Sequence, residues 1–206
     1  MFAMLMTVVG TSLSGVMAPG PMFAITITKS FKSPWAGTLM ALGHAVVEVP
    51  LILLLYFGLS HFFENTVVQF VFSLLGGAVL IWLAVGLFRA PKEMAAGGKD
   101  IRYSAFTAGA VMTGLNPFFL MWWATVGVLL LMKFMAYWEV VAVGLAVFII
   151  VHWLCDLIWL SFVSAAVYKT HSMWGATVQA LVFIAAGALM AGFGVWFIVS
   201  GIQLVV

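Results

Sequence analysis

Charged residues are scarce in this chain of 206 residues: 7% are Asp, Glu, Lys or Arg, whereas 66% are hydrophobic. A water-soluble domain of this length needs far more charge to cover its surface. The composition therefore excludes an ordinary soluble domain and predicts an integral membrane protein. The few charges fall at the ends of apolar segments and form no patch, so we expect no nucleic-acid partner.

Cysteine is almost absent, since Cys155 is the single one. One cysteine forms no intrachain disulfide, and a thiol relay needs a pair, so a redox membrane protein is excluded. No nucleophile–base arrangement stands out, and we expect a protein that is not an enzyme and holds no cofactor or resident metal. The first ten residues contain no basic residue, so a cleaved signal peptide is not expected.

Six apolar segments are long enough to cross a bilayer, which takes about 20 residues per helix. We place them at residues 2–28, 35–60, 66–89, 104–131, 137–165 and 177–204. Almost nothing remains for a soluble part. The sequence therefore predicts a single transmembrane domain over 1–206, with halves at about 1–90 and 104–206 joined by a loop at about 89–104.

The basic residues are distributed unequally between the two sides. The loops after spans one, three and five contain seven of them, and only Lys133 lies on the opposite side. The seven are Lys29, Lys32, Arg89, Lys92, Lys99, Arg102 and Lys169. Because basic loops stay in the cytoplasm, we expect these three loops to be cytoplasmic and both termini to lie outside a plasma (inner) membrane.

Two spans contain residues that interrupt a helix. Ala18-Pro19-Gly20-Pro21 lies in the first span and Gly114-Leu115-Asn116-Pro117 in the fourth. Proline removes a backbone donor and clashes with the preceding turn, and freed carbonyls in a membrane must face protein or a wet cavity. We expect helices to restart after Pro21 and Pro117, with Asn116 as an N-cap. Their positive N-terminal ends suit an anionic group such as a carboxylate.

Two other spans each contain a histidine and a carboxylate four residues apart. These pairs are His44 with Glu48 and His152 with Asp156. Residues at this spacing share one helical face, and intramembrane ionisable groups usually face the bundle interior or a water-filled path. Such pairs can relay protons, hold a cationic substrate group or bind a metal. Nearby hydroxyls could add contacts, although each alone is expected to bond its own helix backbone: Ser12, Ser14, Thr26, Thr113 and Thr125.

Each half of the chain thus contains one interrupted span followed by one span with a histidine–carboxylate pair. Gly77-Ala78 and Gly187-Ala188 also correspond in the third span of each half. Three spans per half make the second half enter the membrane from the opposite side. We therefore predict an all-α membrane fold of six transmembrane helices, a 3+3 inverted repeat in which helices 1 and 4 break at mid-membrane. The glycine-spaced faces of spans three and six suit an internal interface or a homodimer.

These residues together resemble the lysine exporter (LysE/RhtB) family of amino-acid efflux proteins. The resemblance implies export of amino acids or their analogues from the cytoplasm, driven by the proton gradient. Where that family usually has Asn-Pro-Lys, this chain has Asn116-Pro117-Phe118. The other matching motifs are Pro19-Gly20-Pro21, Trp35-Ala36-Gly37 with Gly43-His44, Leu75-Gly76-Gly77-Ala78 with Gly86, and Ala186-Gly187-Ala188 with Gly192 and Gly194.

The first hypothesis is a secondary active transporter that exports a small amino acid or related metabolite by proton antiport. The substrate-binding residues would be Pro19, Gly20, Pro21, Asn116 and Pro117 for the carboxylate, with Glu48 and Asp156 for the ammonium group. The proton relay would comprise His44, Glu48, His152 and Asp156.

Two further hypotheses remain open. The alternative is a divalent-metal cation transporter, in which two imidazoles and two carboxylates ligate the cargo. A structural subunit of a larger membrane complex is the third, and it would not require buried ionisable pairs.

Overall fold

The computed structural model describes residues 1–17, 20–58, 65–95 and 104–205, with the side chains of all of these except 90–95. The described part is helical and contains no strand. In chain order its helices are α1 (Phe2–Val16), α2 (Pro21–Ser30), α3 (Ala36–Tyr56), α4 (Thr66–Ala95), α5 (Ala105–Gly114), α6 (Pro117–Trp122), α7 (Val128–Met135), α8 (Val141–Thr170) and α9 (Ala176–Gln203). A π-helical segment, Trp123–Gly127, joins α6 to α7, and a 3₁₀ turn, His171–Met173, follows α8.

Within the described residues, five helical stretches are long and apolar enough to cross a membrane: Ala36–Tyr56, Thr66–Arg89, Pro117–Met135, Val141–Met173 and Ala176–Gln203. The helices α1 and α2 pass the same test together, and their axes differ by 74°. Counted as one span they bring the number to six. The chain is therefore an all-α, multi-pass membrane protein, as the composition predicts.

Several helices extend beyond the apolar segments. Helix α4 continues to Ala95 and α8 to Thr170, each past the predicted end of its span. A charged residue such as Arg89 ends the apolar part that lipid can cover, but it does not end a helix, which continues into the polar phase. The loop predicted from about 89 is accordingly shorter than expected, and residues 96–103 lie outside the described part.

Helices α4 and α9 pack closely along a seam of small residues. A side chain at Gly77 would overlap the carbonyl of Gly194, and one at Gly194 would meet the carbonyl of Gly77. Because neither residue has a Cβ, the two backbones approach directly. These two glycines therefore serve an interface within the chain. A Cβ added at Gly86 or Gly192 would instead meet no atom of a neighbouring helix within 4 Å.

The apolar core consists of two clusters, and α3 contributes to both. Met40 belongs to the first cluster, with Leu83 and Met190. Leu51, Ile52 and Leu55 belong to the second, with Trp123 and Phe148. The intervening turns of α3 contain His44 and Glu48, so the polar pair lies between two apolar cores at mid-length of the helix.

Candidate functional site

Four ionisable side chains converge at the centre of the bundle. The Nε2 atoms of His44 and His152 lie 2.9 Å and 3.1 Å from the same oxygen, Oε1 of Glu48. Asp156 lies farther from both rings, with Oδ1 3.7 Å from His44 Nε2 and Oδ2 4.0 Å from His152 Nε2. All four residues are at most 5% exposed. The two pairs that sequence spacing indicated therefore form one cluster across the two halves of the chain.

Trp123 contributes a third nitrogen close to Glu48 Oε1. Its Nε1 donates to Glu48 Oε1 at 3.2 Å, and the side chain is fully buried. Trp123 begins the π-helical segment, in which Gly127 packs against the indole ring. Segments of this kind shift the register of a helix and recur at functional sites. No local signal in the sequence identifies Trp123 as a partner of Glu48.

The other ring nitrogen of each histidine contacts a hydroxyl group. His44 Nδ1 lies 2.7 Å from Thr113 Oγ1, and His152 Nδ1 lies 2.7 Å from Ser12 Oγ. Thr113 lies in the last turn of α5 in the second half of the chain, and Ser12 lies on α1 in the first. Each hydroxyl thus contacts the histidine of the opposite half.

Two carboxylate oxygens in the cluster remain available. Glu48 Oε2 and Asp156 Oδ2 are buried and have no hydrogen-bond partner among the described residues. A buried charged oxygen without a partner is costly, so these atoms suit a group that arrives from outside. Donor atoms of His44, Glu48 and Asp156 also lie within 4.8 Å of one another, which makes them a candidate cation site.

A cavity of about 290 Å³ opens beside this cluster. All four ionisable residues line it, together with Gly20, Pro21 and Asn116. Its walls are mostly apolar and rich in aromatic rings, and among the described residues no lysine or arginine lines it. The aromatic lining includes Phe23, Phe118, Phe119, Trp122, Phe193 and Trp196. The volume is near the lower end of the range for small-molecule sites.

The two helix starts at the cavity differ. Asn116 is the N-cap of α6, as predicted, and its side chain accepts from the backbone N–H groups of Phe118 at 3.0 Å and Phe119 at 3.4 Å. Gly20 is the N-cap of α2 and supplies no capping side chain. Pro21 and Pro117 each occupy the first turn of their helix. The predicted site residue Pro19 lies outside the described part of the chain.

Comparison with known proteins identifies a family for this chain. The family model described as LysE type translocator matches residues 13–201, nearly the whole chain. Searches of curated proteins and of solved structures gave no match. The matched range contains all four ionisable residues and both helix starts at the cavity. The chain therefore belongs to the LysE type translocator family, whose members are membrane transporters and not enzymes.

Proposed function

We propose that this protein is a secondary active transporter that exports a small amino acid with an apolar side chain in exchange for protons. The observation that supports this most strongly is the buried cluster of His44, Glu48, His152 and Asp156 beside an aromatic cavity. Intramembrane ionisable groups are costly and usually mark a substrate or proton pathway.

The proposed architecture is a 3+3 inverted repeat with an interrupted span in each half. Helix α1 ends at Val16 and α2 begins at Pro21, while α5 ends at Gly114 and α6 begins at Pro117. Reciprocal contacts between the two halves support the inverted repeat, because Ser12 on α1 contacts His152 and Thr113 on α5 contacts His44. In this proposal each interruption lies at mid-membrane, where its freed backbone groups face the cavity.

We expect the substrate ammonium group to bind the two unpartnered oxygens, Glu48 Oε2 and Asp156 Oδ2. The substrate carboxylate would lie at the start of α2, where Gly20 leaves the first N–H groups without a capping side chain. Asn116 already satisfies the corresponding groups of α6. The proposal therefore assigns the carboxylate to α2; Asn116 lines the cavity, whereas Pro117 begins α6 and does not line it.

The lining of the cavity indicates the substrate side chain. Aromatic rings such as Phe119 and Trp122 offer apolar contact, and the described lining includes no lysine or arginine to hold an acidic side chain. Phe118 lines the cavity at the position where the family resemblance leads one to expect lysine. We therefore expect leucine-like or phenylalanine-like substrates to be preferred over acidic ones.

Charge balance explains why substrate and protons would exchange. The cluster contains two carboxylates and two imidazoles, and a low-dielectric site tolerates little net charge. Protons on the imidazoles and an ammonium group at the carboxylates are competing ways to neutralise the same two negative charges. Binding of one would favour release of the other, which is the requirement for antiport.

The membrane orientation is part of the proposal. The excess of lysine and arginine in the loops after spans one, three and five supports a cytoplasmic location for these loops, with both termini outside. Exported substrate would then reach the cavity from that side. A homodimer remains a prediction of the glycine-spaced faces.

A proteoliposome assay tests this function. Vesicles loaded with single labelled amino acids would be given an inward proton gradient, while a trapped pH dye reports proton entry. We expect efflux of apolar amino acids with matching acidification inside. A Glu139→Gln control removes an exposed carboxylate outside the cluster and should behave as wild type. Lack of gradient-driven efflux across a broad panel would refute the proposal.

Cation transport is the second candidate because the donor atoms of His44, Glu48 and Asp156 lie within 4.8 Å of one another. The hydrogen-bond distances between both imidazoles and Glu48 favour the proton reading. Thermal stability measured with Zn²⁺ and Mn²⁺ distinguishes the two. Metal-dependent stabilisation that disappears in His44→Ala and His152→Ala would support a metal cargo.

A further inference from the structure

The hydroxyl groups that contact the two histidines each have one hydrogen, and its position is determined by the helix backbone. Ser12 Oγ donates to the Val8 carbonyl at 2.6 Å, one turn earlier on α1. Thr113 Oγ1 donates to the Gly109 carbonyl at 2.7 Å, one turn earlier on α5. A serine or threonine hydroxyl has a single hydrogen and two lone pairs. Both hydroxyls therefore have only acceptor capacity left for a second partner.

This hydrogen count determines the state of the facing ring nitrogens. His152 Nδ1 lies 2.7 Å from Ser12 Oγ, and His44 Nδ1 lies 2.7 Å from Thr113 Oγ1. Because each oxygen can only accept, each Nδ1 must carry the hydrogen. In both rings Nε2 is then the nitrogen that faces Glu48 Oε1.

Close backbone packing brings Thr113 to His44. A Cβ at Gly43 on α3 would overlap the carbonyl of Phe106, and a Cβ at Gly109 on α5 would overlap the carbonyl of Met40. Only glycine at both positions lets α3 and α5 approach this closely. The approach leaves Thr113 buried, at 2% exposure, with its hydroxyl within reach of the ring.

Aromatic rings pack against His152. Phe148 lies parallel to its ring at a centroid distance of 6.1 Å, and Trp123 meets it edge-on at 4.9 Å. These neighbours restrict the plane of the ring but offer Nδ1 no acceptor. Ser12, at 1% exposure, supplies that acceptor.

We propose that Ser12 and Thr113 are positioning residues that fix both histidines with hydrogen on Nδ1 and leave Nε2 as the only ring nitrogen that serves the centre. Only Nε2 of each ring would then exchange protons with Glu48 and the groups around it. The effect on transport rests on the proposed function, whereas the position of the hydrogen rests on the hydrogen-bond geometry alone.

Nuclear magnetic resonance of the purified protein with ¹⁵N-labelled histidine tests the hydrogen positions directly. The background His61→Asn/His171→Asn leaves the two central rings. We expect a hydrogen on Nδ1 of both rings, whatever the state of Nε2. Thr113→Val should alter the His44 signals alone, Ser12→Ala the His152 signals alone, and Thr113→Ser neither. A bare Nδ1 on either ring, or wild-type spectra in both Thr113→Val and Ser12→Ala, would overturn the proposal.

Transport measurements then separate positioning from folding. A buried N–H group without an acceptor is costly enough that we expect efflux to fall about tenfold or more in Ser12→Ala and Thr113→Val. Thr113→Ser keeps the oxygen and should retain wild-type efflux. Thr7→Val and Thr170→Val are matched controls, because both hydroxyls are exposed and bond to a carbonyl of their own helix. Equal loss in Thr113→Ser and Thr113→Val would contradict the proposal.

The two readouts fail independently. If wild-type protein transports no amino acid, the proposed function is wrong, but the resonance experiment still decides the hydrogen positions. If transport is present and the Nδ1 hydrogens are absent, only the positioning role is wrong.

Discussion

Glu48→Gln is the perturbation that tests the centre most directly. Glu48 Oε1 accepts from Trp123 Nε1–H at 3.2 Å and lies 2.9 Å and 3.1 Å from the two imidazole Nε2 atoms, which donate to it when the rings are protonated; the side chain is 1% exposed. Glutamine has nearly the same shape but no charge, and its NH₂ group would occupy the position of Oε2, where the described residues offer no acceptor.

The magnitude follows from the three contacts. A hydrogen bond to a charged group contributes about 1.5–3 kcal/mol and a neutral one about 0.5–1.5 kcal/mol. With both rings protonated, replacing three charged contacts by neutral ones removes about 1–1.5 kcal/mol each, or roughly 3–4.5 kcal/mol at the site, which corresponds to a factor of about 150 to 2,000 in an equilibrium constant. We expect gradient-driven efflux and substrate-induced thermal stabilisation to fall by this order.

The assay compares initial efflux rates in proteoliposomes for wild type, Glu48→Gln and the exposed control Glu139→Gln. The thermal midpoint in detergent confirms that each variant is folded. An efflux rate in Glu48→Gln within threefold of wild type would show that this carboxylate is not part of the transport site. An efflux rate within threefold of wild type in Asp156→Asn as well would favour the hypothesis that the protein is a structural subunit of a larger complex, in which the cluster only holds helices together.

Three further predictions address packing, the cavity wall and orientation. Gly109→Ala should lower the free energy of unfolding by about 1–3 kcal/mol, because the added methyl group would overlap the Met40 carbonyl. Gly192→Ala is the control: its methyl group would meet no neighbouring atom within 4 Å, so the thermal midpoint should not change. Trp122→Ala should weaken binding of apolar amino acids by roughly 1 kcal/mol or more, measured by titration, with little effect on glycine. In a cysteine-free background, Lys169→Cys should react with an impermeant maleimide only from the cytoplasmic side and Lys133→Cys only from outside; the reverse result would overturn the proposed orientation.

The apolar segments and the ionisable pairs were predictable from the sequence because both depend on local spacing. A run of about 20 apolar residues indicates a membrane span, and positions 44 and 48 share a helical face whatever surrounds them. The Asn116 cap was predictable for the same reason, since an N-cap bonds residues two and three positions ahead. Helix ends were predicted less well, because apolarity ends before the helix does in α4.

The partners of these residues were not predictable, because they depend on contacts between distant helices. Sequence reasoning expected Ser12 and Thr113 to bond their own backbones, and this is confirmed. The second contact of each, to a histidine 140 or 69 residues away, depends on packing between helices. Trp123 is a similar case: its bond to Glu48 depends on a π-helical segment that no residue pattern in the chain indicates.

The two carboxylates correspond in sequence, yet their positions in the cluster differ. Glu48 Oε1 lies within 3.2 Å of both Nε2 atoms and of Trp123 Nε1, whereas the Asp156 oxygens lie 3.7 Å and 4.0 Å from the rings. One oxygen of each carboxylate, Glu48 Oε2 and Asp156 Oδ2, has no hydrogen-bond partner among the described residues. The extra methylene of glutamate lets one carboxylate reach the point where both Nε2 atoms meet. A fully symmetric cluster would divide the donors equally and leave neither carboxylate available. In the proposed cycle Glu48 therefore keeps both rings at Oε1 and offers Oε2 to the substrate, whereas Asp156, which lies farther from the rings, changes partners more freely as substrate and protons exchange.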